Sequence, residues 1–191
     1  MKSTYLSFLV LVLFKLPVLA QQPVQNFSLV NVGDNTTVSL ESFQSCSGLV
    51  VLFTSNECAY DGYYTSRVKS LINSYKGKIQ FLLVNSYVEP NEAADKMKVK
   101  YDAWALGVPY LADKEQVAME CLSAKKSPEA FLLKNSGGKY VLTYSGAIDD
   151  NPQVANDVKQ NYLKDAINKL LAGQKIEVAN VRAVGCSVRR K

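Results

Sequence analysis

Apolar positions along the chain follow two periods, and the switches between them mark the elements. Phe27-Ser28-Leu29-Val30 and Thr37-Val38-Ser39-Leu40 are short alternating runs on either side of Gly33-Asp34-Asn35, the pattern of a β-hairpin. Leu49-Val50-Val51-Leu52-Phe53 is continuously apolar, which marks a strand covered on both faces at the centre of a sheet. Tyr60, Tyr64, Val68, Leu71, Ile72 and Tyr75 then recur at helical spacing, with Gly77 as the stop. Phe81-Leu82-Leu83-Val84 is a second buried run, and after Pro90 the positions Ala93, Met97, Tyr101 and Trp104 mark a second helix. A short strand at Tyr110-Leu111 and a helix from about 114 to 122 lead to Ser127-Pro128. The runs 130–133 and 140–144 flank Asn135-Ser136-Gly137-Gly138, a turn-rich tetrad that closes an antiparallel hairpin. The last helix is expected over 154–172, with Val158, Tyr162, Ile167, Leu170 and Leu171 inward and Gly173 as its cap.

Strand, helix, strand, helix in that order requires a parallel βαβ pairing, to which a β-β-α unit is added. The expected fold class is α/β with three layers, a central mixed β-sheet flanked by helices, and an N-terminal β-hairpin. Residues 1–20 read as an export leader: Lys2 supplies the positive start, Leu6 to Phe14 an apolar run, and Val18-Leu19-Ala20 the small residues of a cleavage site. That run is too short for a bilayer core, which takes about 20 residues, so no stable membrane insertion is expected. Lys15 within this leader has no explanation. Residues 21–191 are expected to form a single domain with a C-terminal tail, 174–191, secreted across the inner membrane to a periplasmic or extracellular location.

Composition narrows the chemistry. The formal net charge is +5, two of those charges being Lys2 and Lys15, and the basic residues are scattered except for Lys125-Lys126 and Arg189-Arg190-Lys191. Nothing in that distribution argues for nucleic acid. Histidine is absent, which removes the usual general base and metal ligand and every Ser-His or Cys-His mechanism. No cofactor and no metal is expected, and the chemistry is left to thiols, carboxylates or tyrosines. The 4 cysteines, Cys46, Cys58, Cys121 and Cys186, are too few for a disulfide framework to replace a core. Cys58 falls where the central strand gives way to a helix.

Five segments in order resemble the redoxin, or alkyl-hydroperoxide-reductase and thiol-specific-antioxidant-like (peroxiredoxin-like), family of the thioredoxin superfamily. They are 51–58 (ending in Ser55-Asn56-Glu57-Cys58), Val108-Pro109-Tyr110-Leu111-Ala112-Asp113, Ser127-Pro128, 144–151 with Asp149-Asp150, and Gly185-Cys186-Ser187-Val188. The resemblance runs from about Phe27 to the C-terminus and is to an exported bacterial member. It implies a thioredoxin-like fold, a redox-active Cys58, and a Ser127-Pro128 peptide that is cis and offers backbone groups to an extended substrate. Several family features are missing. Ser55 and Ala59 stand where members carry a cysteine and a proline, Val51 stands where peroxiredoxins keep another proline, and Asp61 holds the place of the second cysteine of CxxC.

A cysteine at a helix start is favoured as the thiolate, the form that attacks a disulfide sulfur or a peroxide oxygen. Glu57 and Asp61 oppose this as nearby negative charges. Ser55 has the spacing of the peroxiredoxin hydroxyl that hydrogen-bonds peroxide, and equally that of a serine capping the helix. The expected function is therefore thiol-dependent oxidoreduction, by disulfide exchange or peroxide reduction, with a protein or small-molecule thiol, disulfide or peroxide as substrate and an external reductant. The alternative is a non-catalytic binding protein with a degenerate site. Cys186 is the second thiol that the resemblance implies, and the thirteen steps from Gly173 reach about 43 Å at roughly 3.3 Å per residue. Cys121, shortly before Ser127-Pro128, is its rival, and a structural Cys46 to Cys186 bridge is the plain alternative. Asp149 and Asp150 match a family motif and are equally read as an exposed acidic pair.

Overall fold

Strand β3 (Gly48–Phe53) is buried at every position and sits inside the sheet, as its unbroken apolar run requires. Its side chains alternate between two cores: Val50 and Leu52 enter one, Leu49, Val51 and Phe53 the other. The structure, a computed structural model, describes residues 22–191; the leader expected over 1–20 lies outside the described residues.

The chain begins with the hairpin β1 (Ser28–Asn31) and β2 (Thr37–Ser39). After β3 come helix α1 (Ala59–Tyr75), β4 (Ile79–Asn85), α2 (Ala94–Trp104), β5 (Tyr110–Ala112) and α3 (Val117–Leu122). Then follow β6 (Lys126–Ser127), the hairpin β7 (Glu129–Ser136) and β8 (Lys139–Gly146), and α4 (Tyr162–Leu171). The tail adds β9 (Asn180–Val181) and β10 (Cys186–Ser187). The large sheet has the order β2-β1-β5-β4-β3-β7-β8-β9, and β10 pairs with β6 in a separate two-stranded ribbon. β3, β4 and β5 are mutually parallel, while β7 runs antiparallel to β3, so the sheet is mixed as expected.

Helices α1 and α4 cover one face through Tyr64, Val68, Ile72 and Leu163, Ala166, Ile167, Leu170. On the other face α3 supplies Ala118, Met119 and Leu122, beside Phe27, Leu29 and Val38 of the N-terminal segment. Helix on sheet on helix is the three-layer arrangement the pattern implied.

Two helix starts differ from the pattern. α4 begins at Tyr162 rather than near 154, because Asp150 and Asn151 hold the intervening backbone in a loop: Asn151 Oδ1 accepts from the amides of Gln153 and Val154, and Asp150 Oδ1 from that of Lys159. Val154 is accordingly exposed. α3 begins at Val117 because Gln116 takes a left-handed backbone (φ 59°) and buried Asp113 accepts from the amides of Ala118 and Met119.

Two glycines admit the tail. A Cβ on Gly146, whose φ is +122°, would stand 1.7 Å from the carbonyl oxygen of Val181, so β9 could not lie against β8. A Cβ on Gly185 would stand 2.1 Å from the carbonyl oxygen of Ser127.

Candidate redox site

The end of β3 is tied to β4 by the Thr54 amide, which donates to the Val84 carbonyl at 2.8 Å, and the chain then turns through Ser55-Asn56-Glu57 into α1. Cys58 is the N-cap residue of this 17-residue helix, with an extended backbone (φ −69°, ψ 119°). Ser55 shapes the turn: its Oγ accepts from the amides of Glu57 (3.1 Å) and Cys58 (3.0 Å) and donates to Glu92 Oε1 (2.5 Å). With its only proton given to Glu92, this hydroxyl is held as a turn-forming group.

Glu92 organises the loop before the cysteine. Although buried, its carboxylate accepts from the amides of Asn56 (2.7 Å) and Glu57 (3.2 Å) and from Asn85 Nδ2 (2.6 Å), besides the Ser55 hydroxyl. Lys100 Nζ closes the loop from the opposite side by donating to the carbonyls of Ser55 (2.5 Å) and Asn56 (2.8 Å). Burial holds the Lys100 ammonium below its usual range, partly offset by Asp61 and Glu92. Neither Glu92 nor Lys100 was visible as a site residue in the sequence, since each lies tens of residues from Cys58 and no motif marks it.

Cys58 is bonded to Cys186, with a Cα–Cα distance of 5.9 Å across a sequence separation of 128 residues. Cys46 and Cys121 are free. The Cys46 to Cys186 bridge is thereby overturned: Cys46 lies before β3, where its carbonyl accepts from Asn135 Nδ2. Cys121 is no partner of Cys58 either, since its Sγ donates to the Gln25 carbonyl beside the N-terminal segment.

The Ser127-Pro128 peptide is cis. Its position is fixed by three contacts: Cys58 Sγ lies 3.3 Å from the Ser127 carbonyl oxygen, β10 pairs antiparallel with β6 in the register Cys186 to Ser127, and the Ser127 hydroxyl donates to Asp61 Oδ2. Asp61 also accepts from Thr54 Oγ1 (2.7 Å) and from the Ser55 amide (3.3 Å). Burial pushes its pKa up to about 6, against the lowering effect of the Ser127 and Thr54 hydroxyls. Tyr87, also buried, donates to the Cys186 carbonyl at 3.0 Å. A cleft of about 210 Å³ opens onto the disulfide between Ser55, Glu57, Tyr87 and Glu89.

All five residues singled out from the sequence, Ser55, Cys58, Ser127, Pro128 and Cys186, thus meet at one end of the sheet. Asp149 does not join them and is not exposed: it pairs with Arg67 at 2.7 Å and accepts from Tyr64 Oη at 2.8 Å, while Asp150 alone is exposed. Among the described residues no cluster of side chains could hold a metal ion, and no helix is long and apolar enough to cross a membrane.

No protein-family model and no curated protein matches this chain. Solved structures do. A hypothetical protein from Sinorhizobium meliloti superposes with a TM-score of 0.80 at 24% identity, over 92% of this chain and 96% of that one. The pneumococcal exposed lipoprotein thioredoxin of Streptococcus pneumoniae superposes with a TM-score of 0.58 at 16% identity, over 78% of this chain and 99% of that one. The peroxidoxin BcpB of Mycobacterium tuberculosis gives a TM-score of 0.56 at 12% identity, over 80% and 96% of the two chains. At these identities the likeness carries the fold: a thioredoxin-like, mixed α/β architecture, shared with thiol-disulfide oxidoreductases and a peroxidoxin.

Proposed function

We propose that this chain is an exported, redoxin-like thiol-disulfide oxidoreductase whose leader, residues 1–20, is removed and whose remaining residues, 21–191, form one domain. Cys58 is the nucleophile, and Cys186, on the C-terminal tail 174–191, is the second thiol. The observation that carries this reading is the Cys58–Cys186 bond at the N-terminus of α1, beside the Ser127-Pro128 peptide.

In the reduced protein the amides at the start of α1 and the helix dipole favour the Cys58 thiolate. That thiolate attacks one sulfur of a substrate disulfide and the other sulfur leaves as a thiolate. The Cys186 thiolate then attacks Cys58 Sγ, the substrate is released reduced, and two electrons have passed from the protein dithiol to the substrate. An external thiol reductant restores the dithiol, and the same steps in reverse oxidise a dithiol substrate. Disulfide exchange is favoured over peroxide reduction because the Ser55 hydroxyl is engaged by Glu92 and by two backbone amides.

The test follows oxidation of the reduced protein by a peptide disulfide, with the cysteines mapped by mass spectrometry. Cys58–Cys186 should re-form as the peptide is reduced, turnover should vanish in Cys58→Ser, and Cys46→Ser should retain it. Equal loss in both variants, or a Cys58 that alkylates no faster than free cysteine near neutral pH, supports a non-catalytic binding protein instead.

A further inference from the structure

The cleft that opens onto the Cys58–Cys186 bond reaches its two sulfurs unequally. Cys58 is 6% exposed and its Sγ lies against the Ser127 carbonyl oxygen at 3.3 Å, whereas Cys186, on the tail, is only half-buried. An external thiolate entering by this cleft therefore attacks Cys186, and Cys58 leaves as the thiolate that the start of α1 favours. The bond between the entering sulfur and Cys186 Sγ forms as the Cys58–Cys186 bond breaks, with the electron pair passing to Cys58. A second thiolate then joins the first in a disulfide, and Cys186 leaves as a thiolate that takes a proton from solvent. Two external thiols have then given two electrons to the protein.

The lining of the cleft decides which thiols can make that approach. At about 210 Å³ it suits a small molecule rather than a larger ligand. Glu57 and Glu89 stand exposed at its rim and buried Glu92 beneath them, and among the described residues no lysine or arginine lines it. Both rim carboxylates are held in place: Glu57 Oε1 accepts from Asn91 Nδ2 (2.6 Å) and Glu89 Oε2 from the Val88 amide (3.1 Å). Among the described residues neither forms an ion pair. Lys100 and Lys114 interact with Glu92, and Lys114 also with Glu89, but both lie outside the lining. Their ammonium groups are directed to main chain, Lys100 to the carbonyls of Ser55 and Asn56, Lys114 to those of Asn85 (3.3 Å) and Tyr87 (2.8 Å). The formal charge of the whole chain is +5 and would by itself attract anions, so a preference for cations at the disulfide has a local source.

We propose that this cleft selects the external reductant by charge, admitting small thiols that carry a positive charge close to the sulfur, an amino thiol in chemical class, and turning anionic thiols away. This rests on the exchange reading above and supplies the class of reductant that reading requires. The attacking group is itself an anion, so it enters against Glu57 and Glu89 unless an ammonium on the same molecule offsets them.

The experiment measures how fast three small thiols open Cys58–Cys186 in the oxidised protein, by acid quench, alkylation and intact mass. The thiols are cysteamine, 2-mercaptoethanol and 3-mercaptopropionate, which are cationic, neutral and anionic. Each rate is divided by that of the same thiol with bis(2-hydroxyethyl) disulfide, so that differences in thiol basicity cancel. At low salt cysteamine should exceed 3-mercaptopropionate about tenfold, with 2-mercaptoethanol between, and the spread should shrink to about twofold at about 0.5 M salt. Glu57→Gln combined with Glu89→Gln keeps an acceptor oxygen at each rim position, removes both charges, and should shrink the low-salt spread to the same extent. Glu41→Gln, beside the β7–β8 turn at the opposite end of the sheet, should leave the spread unchanged. Equal normalised rates, or an anionic thiol that reacts fastest, overturn the selection and leave exchange standing. So does a spread that survives the double substitution. Should the double variant fail to fold, the salt series on the wild type still decides, since a spread indifferent to salt overturns the proposal. A bond that none of the three thiols opens overturns the exchange reading together with it.

Discussion

The hydroxyl of Ser127 donates a hydrogen bond to the carboxyl of Asp61, so the residue whose backbone pairs with Cys186 is tied to the position where a CxxC protein carries its second cysteine. Asp61 is 4% exposed, and the same carboxyl receives the Thr54 hydroxyl and the Ser55 amide. An acid in this place cannot form a disulfide, but it fixes the floor on which the Cys58–Cys186 bond rests. It does so against a desolvation cost that appears in its raised pKa.

That cost predicts a pH dependence of stability. A carboxyl with a pKa of about 6 in the fold and near 3.8 when unfolded keeps its proton longer in the native state. Folding stability therefore falls as pH rises through this window and levels off above it, a loss on the order of 3 kcal/mol. Asp61→Asn cannot titrate and should lack the fall. Urea unfolding of both proteins from about pH 4 to about pH 8 reads the difference directly; a gap that stays constant across that range contradicts the assignment.

Glu92→Ala should be among the most destabilising single changes in the molecule. It leaves the Ser55 hydroxyl, the Asn56 amide and Asn85 Nδ2 without their buried acceptor. A loss of about 3 kcal/mol is expected, with Glu92→Gln intermediate because it keeps one acceptor oxygen. Denaturant midpoints of the oxidised proteins test this, and a change confined to a few tenths would remove Glu92 from its organising role.

Gln116→Asn should loosen the tail without disturbing the bend that precedes α3. Asparagine tolerates the left-handed backbone at this position but is too short to span Arg189 and Lys191. The expected cost is about 1 kcal/mol per hydrogen bond lost. Amide hydrogens of residues 187–191 should exchange faster in the reduced variant than in the reduced wild type. Unchanged protection would mean that other contacts hold the tail.

The proposed export makes a prediction independent of the redox site. Protein recovered from the envelope or medium should begin near Gln21, as read by intact mass. Full-length chain retaining residues 1–20 in the cytosol would rule the leader out.

Much of the architecture was legible in the chain itself. The unbroken run 49–53 announced a strand between two cores, and the periodicity from Tyr60 to Tyr75 announced α1, so Cys58 could be assigned to a strand-to-helix junction before any coordinates. Patterns of this kind survive folding because they are local: burial of one face fixes the period, whatever packs against it. The spacing overextends the last helix for the same reason, since it does not register that Asp150 and Asn151 capture the loop backbone with their side chains.

Sequence by itself thus determined the fold class and the place of Cys58, while Ser127-Pro128 as its neighbour was what the resemblance implied. The resemblance pointed to Cys186 as the second thiol, and the tertiary structure decided for it over Cys46 and Cys121, largely through contacts that carry no sequence signature. Gly146 and Gly185 let the tail approach buried backbone, Tyr87 and Gln116 hold it there, and Glu92, Lys100 and Asp61 hold the loop and the helix start against it. Each of the polar side chains among them acts on a partner whose distance along the chain is arbitrary, and each is buried or, for Lys100, partly buried. Their roles exist only once the sheet has brought β4, β6 and the tail to the same end of the molecule, where an unpaired polar group would be costly and is therefore paired.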